Sequence, residues 1–237
     1  MSKQYHFPVI KVQGCGLPIS VIERSLQNSY LHSSEQSQNI SGFQRDNDLS
    51  IDKAQVYYNP GTKQTLVVHR GTNSTATDWS NNVAYLTGMY KLTNRYKTAK
   101  RTQEAAEKKY GTENLYTIGH SQGSLLAAEV GKNSKQIIAV DRALSPSDAI
   151  FKKAPANLFD LRTTNDAVSA FVPLQRREDN GTLQTIHSNS FDPIKEHDLG
   201  QLEKLGNDTV IGGKLFFPKK SSFSPPRKRV SLQIPSP

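Results

Sequence analysis

The stretch NLYTIGHSQGSLLAAEV, residues 114–130, decides the reading of this chain. Its first five residues, NLYTI, read as a short apolar strand, and its last seven, SLLAAEV, as a small-residue helix. Between them stand Gly119, His120, Ser121, Gln122 and Gly123. A glycine two positions before and two positions after a serine, between a strand and a helix, is the pattern of a nucleophile elbow. The glycines let the chain close sharply, because a side chain at either place would collide with the facing element. The helix start also sets backbone N–H groups and the positive end of a dipole beside the serine. An ordinary glycine turn shares the five-residue pattern but does not require these flanking elements.

Working outward, KQIIAV (135–140) and NLFDLRTT (157–164) read as further strands. On the amino-terminal side, AQVYYNPGTKQTLVVHRG (54–71) holds two β-rich runs joined by Asn59, Pro60, Gly61 and Thr62, the signature of a hairpin. The segment from Tyr96 to Tyr110 is a surface helix stopped by Gly111, and Trp79, Val83, Leu86 and Tyr90 fall at helical spacing. The stretch from Ser25 to Ser50, rich in Ser, Gln and Asn, reads as irregular or weakly helical surface. Strands alternating with helices predict an α/β fold with a mostly parallel central sheet and helices on both faces. We read residues 1–217 as one domain with its catalytic core at about 54–200, and 218–237 as a disordered Pro/Ser-rich basic tail.

Composition narrows the classes. Mean hydropathy is −0.60, and no apolar run approaches the roughly 18 residues that cross a bilayer, which predicts a soluble protein. The first residues lack a continuous apolar run, so an intracellular, cytoplasmic location is expected and the sequons at Asn39, Asn73, Asn180 and Asn207 carry no weight. One cysteine, Cys15, admits no intramolecular disulfide and no paired-cysteine metal clamp; its reading as a nucleophile is weaker than that of a packed loop residue. The formal net charge is +9, but Lys219, Lys220, Arg227, Lys228 and Arg229 sit together in the tail. Basic and aromatic residues are not interleaved on a folded segment, so there is no strong nucleic-acid signal. The 219–229 cluster suits an acidic surface or an import receptor, which would permit a nuclear location.

A serine hydroxyl needs a base, and the base an acceptor that holds its tautomer. In proteins built on such an elbow the acid and then the base follow the serine along the chain. Asp166, just past the strand 157–164, is the expected acid, with Asp141 and Asp148 as rivals after the preceding strand. His187 and His197 are the histidines that follow it. His197 lies where a proline-bearing loop leads into an expected helix, a suitable mount for a base. His187 falls in the β-like run TLQTIHS, and the choice between the two stays open to mutation. Asp192, Glu196, His197 and Asp198 lack any recognisable metal-ligand spacing, so neither metal nor organic cofactor is expected.

LVVHRGTNSTATDW followed by YTIGHSQGSLLAAEV resembles the class 3, fungal-type lipases, a branch of the α/β-hydrolases. TNDAVSAF and DPIKEHDL are similar to the acid and base segments of short intracellular and viral relatives, and the resemblance spans about Ala54 to Leu199. It implies an α/β-hydrolase fold and a serine hydrolase, esterase or lipase, acting on an acyl-ester or lipid substrate through Ser121, Asp166 and His197. It also implies an oxyanion hole at Thr72, with the backbone N–H of Gln122 as partner. Two departures stand out: Gln122 and Ser124 replace the commoner leucine and glycine, and Asn82 stands where an aspartate is often found. The helix bearing Trp79, Val83, Leu86, Met89 and Tyr90 is either core or lid. The contrasting expectation is a catalytically silent scaffold that interacts through its basic tail.

Overall fold

The structure is a computed structural model and describes residues 16–72, 91, 93–177, 182–187, 192, 195–205 and 210–211. The expected helix around Trp79, Asn82, Cys15, three of the sequons (Asn73, Asn180, Asn207) and the 218–237 tail lie outside them.

Among the described residues, strands β1 (Leu17–Pro18), β2 (Asn39–Ile40), β3 (Phe43–Arg45), β4 (Ala54–Asn59), β5 (Gln64–His69), β6 (Leu115–His120), β7 (Gln136–Val140), β8 (Leu158–Thr163), β9 (Thr182–Ile186) and β10 (Val210–Ile211) are accompanied by four α-helices: α1 (Ile19–Tyr30), α2 (Asn94–Tyr110), α3 (Gln122–Val130) and α4 (Pro146–Phe151). Eight strands form one sheet in the order β2-β3-β4-β5-β6-β7-β8-β9, while β1 and β10 pair separately. Neighbours from β2 to β5 run antiparallel and those from β5 to β9 run parallel. The parallel strands all point their carboxyl ends to one edge, the usual location of a ligand site in α/β sheets.

Period-two alternation assigns the two faces. Leu66, Val68, Tyr116, Ile118, Ile138 and Val140 face α1 residues Ile19, Ile22 and Leu26, with Leu199 and Leu202 in the same cluster. Val67 and Leu115 instead pack on Ala106 of α2, and Ile137 and Ala139 on Ala127 and Ala128 of α3. Helices therefore cover both faces, and the chain has the α/β-hydrolase fold.

Two expectations need correction. The polar stretch after Ser25 is not simply surface: α1 runs to Tyr30 with Ser25 and Ser29 fully buried. Their hydroxyls donate to the carbonyls of Ile22 (2.8 Å) and Leu26 (2.6 Å), so burial leaves neither donor unmet. The segment carrying His197 is not an α-helix but two 3-10 stretches, Lys195–His197 and Leu199–Leu205. Between them Asp198 accepts a hydrogen bond from the Gly200 N–H at 2.7 Å, a local alternative to helical bonding.

Candidate active site

At the carboxyl end of β6 the chain turns through Ser121 with φ 55° and ψ −124°, outside the regions open to most L-residues. The turn is held by short bonds: Ser121 N–H donates to the Val140 carbonyl (2.9 Å), and the Ser121 carbonyl accepts from the N–H groups of Ser124 (3.1 Å) and Ala143 (3.2 Å). A Cβ on Gly119 would stand 2.4 Å from the Gly123 carbonyl oxygen, and one on Gly123 would stand 2.1 Å from the His69 carbonyl oxygen. Both glycines are thus required by contact rather than by dihedral angle. Ser121 remains half-buried at the sheet edge, while Gln122 opens α3, where the first N–H groups have no intrahelical partner.

The structure brings Asp166 and His197 together. Asp166 Oδ1 lies 3.0 Å from His197 Nδ1 and accepts from the Val168 N–H at 3.0 Å; Oδ2 accepts from the Ser169 N–H at 2.9 Å. Burial alone would raise the Asp166 pKa, but the bonds from His197, Ser169 and Val168 outweigh it and hold the carboxyl below its usual range. The loop bearing His197 is anchored by Glu196, whose carbonyl accepts from Thr163 Oγ1 at 2.5 Å, and by the burial of Leu199 and Leu202. His187 lies instead on the surface beyond β9, its Nδ1 3.4 Å from Thr164 Oγ1. Asp148 sits in the first turn of α4 and pairs with Lys152 at 2.9 Å.

Two residues to which the sequence assigned no role at the site, and a third weighed only as a rival acid, surround this pair. His120, the spacer of the elbow, sets its ring centroid 4.8 Å from that of His197 at a tilt of 32° and directs Nε2 to the His197 carbonyl at 3.1 Å. A carbonyl only accepts, so Nε2 carries the proton and Nδ1 accepts from the Tyr30 hydroxyl at 2.7 Å. Burial, reinforced by the neighbouring His197, pushes the His120 pKa down to about 3 and keeps the ring neutral. Tyr30 in turn accepts from the Gly71 N–H at 2.9 Å, so one partly buried phenol ties the residue before Thr72 to the residue before Ser121. The signal for it was present: Ile19, Ile22, Leu26 and Tyr30 form a helical stripe.

The third is Asp141, weighed only as a rival acid. It is 2% exposed, adopts φ 44°, and accepts the Thr163 N–H at 2.9 Å. Burial, then the charge of Asp166, raises its pKa to about 7. Polar atoms of His120, Asp141 and His197 lie within 4.8 Å of one another, a looser grouping than the roughly 3.4 Å between ligands that zinc bond lengths imply. Both His120 nitrogens already have partners, so the trio does not fit a tetrahedral ion as it stands. Of the four residues weighed as a metal group, Asp198 is engaged by Gly200 and His197 by Asp166.

On the other side of Ser121, Thr72 follows the end of β5 and its hydroxyl donates to Gln122 Oε1 at 2.9 Å. The same oxygen accepts from the Arg95 guanidinium at 2.5 Å, and Arg95 also donates to the Arg70 carbonyl. The replacement of the commoner leucine by Gln122 is therefore built into a polar network at the expected oxyanion position. Among the described residues no helix is long and apolar enough to cross a membrane.

No family model matches the chain, and no curated protein sequence does. Among solved structures it is similar to a triacylglycerol lipase from Penicillium expansum (17% identity, TM-score 0.44, 72% of this chain and 79% of that one). It is also similar to the Lip2 lipase of Yarrowia lipolytica (14%, TM-score 0.48, 84% and 94%). A third is a predicted CIB-like hydrolase from Thermoplasma acidophilum (13%, TM-score 0.41, 70% and 96%).

Proposed function

We propose that this chain is a serine hydrolase that cleaves carboxylic esters, with Ser121 as nucleophile, His197 as base and Asp166 as the acid that orients it. The observation that carries the reading is the tight turn at Ser121, on the same sheet edge as a part-buried Asp166–His197 pair. His197 Nδ1 bonded to Asp166 leaves Nε2 as the proton acceptor. As Nε2 takes the hydroxyl proton, Ser121 Oγ attacks the ester carbonyl and its π electrons pass to oxygen. Thr72 and the backbone N–H of Gln122 hold that oxyanion, which they bind better than the ground-state carbonyl. Collapse expels the alkoxide, which leaves as alcohol with the proton from His197; water, activated by the same imidazole, then releases the acid.

A fluorophosphonate probe tests this directly. Wild-type protein should be labelled, with the label mapped to the peptide containing Ser121, and Ser121→Ala should be neither labelled nor active on a short acyl ester, a loss on the order of 10³-fold or more. Labelling elsewhere, or full activity in Ser121→Ala, overturns the assignment. The residue range 219–229 is proposed as a separate basic address rather than as part of this chemistry.

A further inference from the structure

Gln122 Oε1 holds the hydroxyl of Thr72, the side chain expected to donate to the oxyanion. The Thr72 hydroxyl has a single proton, and in the resting structure that proton is spent on Gln122. The oxygen, rather than the amide nitrogen, must be the atom facing this group, because the Arg95 guanidinium beside it is a donor only. Arg95 stands in the first turn of α2, whose start is fixed by Thr93 capping the Tyr96 N–H at 3.2 Å. Its second contact, to the Arg70 carbonyl, ties the same guanidinium to the end of β5 two residues before Thr72. One cation thereby spans the two segments that carry the oxyanion donors.

We propose that Arg95 is a positioning residue that releases Thr72 to the oxyanion: it holds Gln122 Oε1 so that the hydroxyl can leave that oxygen for the substrate. The inference rests on the serine-hydrolase reading. A carbonyl oxygen accepts two hydrogen bonds, and both are taken here, by Thr72 and by Arg95. The bond from the cation is the stronger of the two and persists when Thr72 turns away. Without the guanidinium, turning away costs this buried acceptor both of the bonds that Thr72 and Arg95 give it, and Thr72 stays on Gln122. Because the oxyanion forms only as the carbonyl is attacked, the defect falls on kcat rather than on KM.

A double-mutant cycle tests this on the full chain, with a short acyl ester as substrate and thermal melting to check the fold. Arg95→Met should lower kcat on the order of tenfold with KM little changed. In a Gln122→Leu background, where no competing acceptor exists, the same Arg95→Met change should have less than a twofold effect. Arg95→Lys, which keeps one charged donor for Gln122, should recover most of kcat. Equal losses from Arg95→Met in both backgrounds, or no recovery with lysine, overturn the proposal. Should the wild-type chain not label at Ser121 with a fluorophosphonate, the reading beneath it fails as well, whereas labelling with additive losses removes the role of Arg95 alone.

Discussion

Replacing Ser121 by glycine should make the protein more stable than replacing it by alanine, although both changes remove the proposed nucleophile. At φ 55° and ψ −124° a residue with a Cβ is held in a sparsely populated conformation, which costs on the order of 1–3 kcal/mol. Alanine keeps that Cβ and the cost; glycine removes both. Against this gain stands the extra freedom that glycine has in the unfolded chain, about 0.5–1 kcal/mol. The difference leaves Ser121→Gly more stable than Ser121→Ala by up to about 2.5 kcal/mol. For a domain of this size each kcal/mol moves Tm by about 2–4 °C, so melting midpoints should separate by up to roughly 10 °C. Scanning fluorimetry on the two inactive variants, with urea titration as a second measure, reads this directly. A glycine variant that melts below the alanine variant would refute the claim that the turn at Ser121 is strained.

Tyr30→Phe removes the hydroxyl shared by the Gly71 N–H and His120 Nδ1, and should cost about 1–3 kcal/mol in urea unfolding together with a fall in kcat; an unchanged midpoint and rate would deny the phenol its bracing role. His197→Ala should lose nearly as much activity as Ser121→Ala while His187→Ala loses little, and the opposite ranking would transfer the base to His187. Asp141 has a folded pKa raised to about 7, so its favourable contribution is fully present below about pH 4 and is lost as pH rises through 7. Wild type should therefore lose stability relative to Asp141→Asn between pH 4 and pH 8, and a difference that is flat with pH would contradict the burial argument.

The parallel strands and the elbow were legible because they depend on neighbours in sequence. Ile137 and Ile138 point to opposite faces by the pleat alone, and Gly119 and Gly123 announce the close approach they permit. What was not legible depends on partners far along the chain. Tyr30 is a polar-tipped residue at the end of a serine- and asparagine-bearing helix until Gly71 and His120, 41 and 90 residues away, meet its hydroxyl. Asp141 competed with Asp166 on paper because both follow strands. Only the folded geometry shows Asp166 bonded to an imidazole and Asp141 bonded to the Thr163 amide. The mount of His197 was misjudged: hydrophobic spacing gives no way to tell a 3-10 turn from an α-helix over so few residues.

The pairing of β1 with β10 sets Leu17 against Ile211, so the second strand of the described chain to be hydrogen-bonded there emerges 194 residues after the first (211 − 17). At cellular elongation rates of about 5–20 residues per second, that separation is a wait of roughly 10–40 s. Throughout it the amino-terminal strand has no ladder partner, and α1 must hold its apolar face against a sheet still being synthesised. Slowing synthesis should therefore lengthen the interval in which this amino-terminal segment of the nascent chain is open to protease.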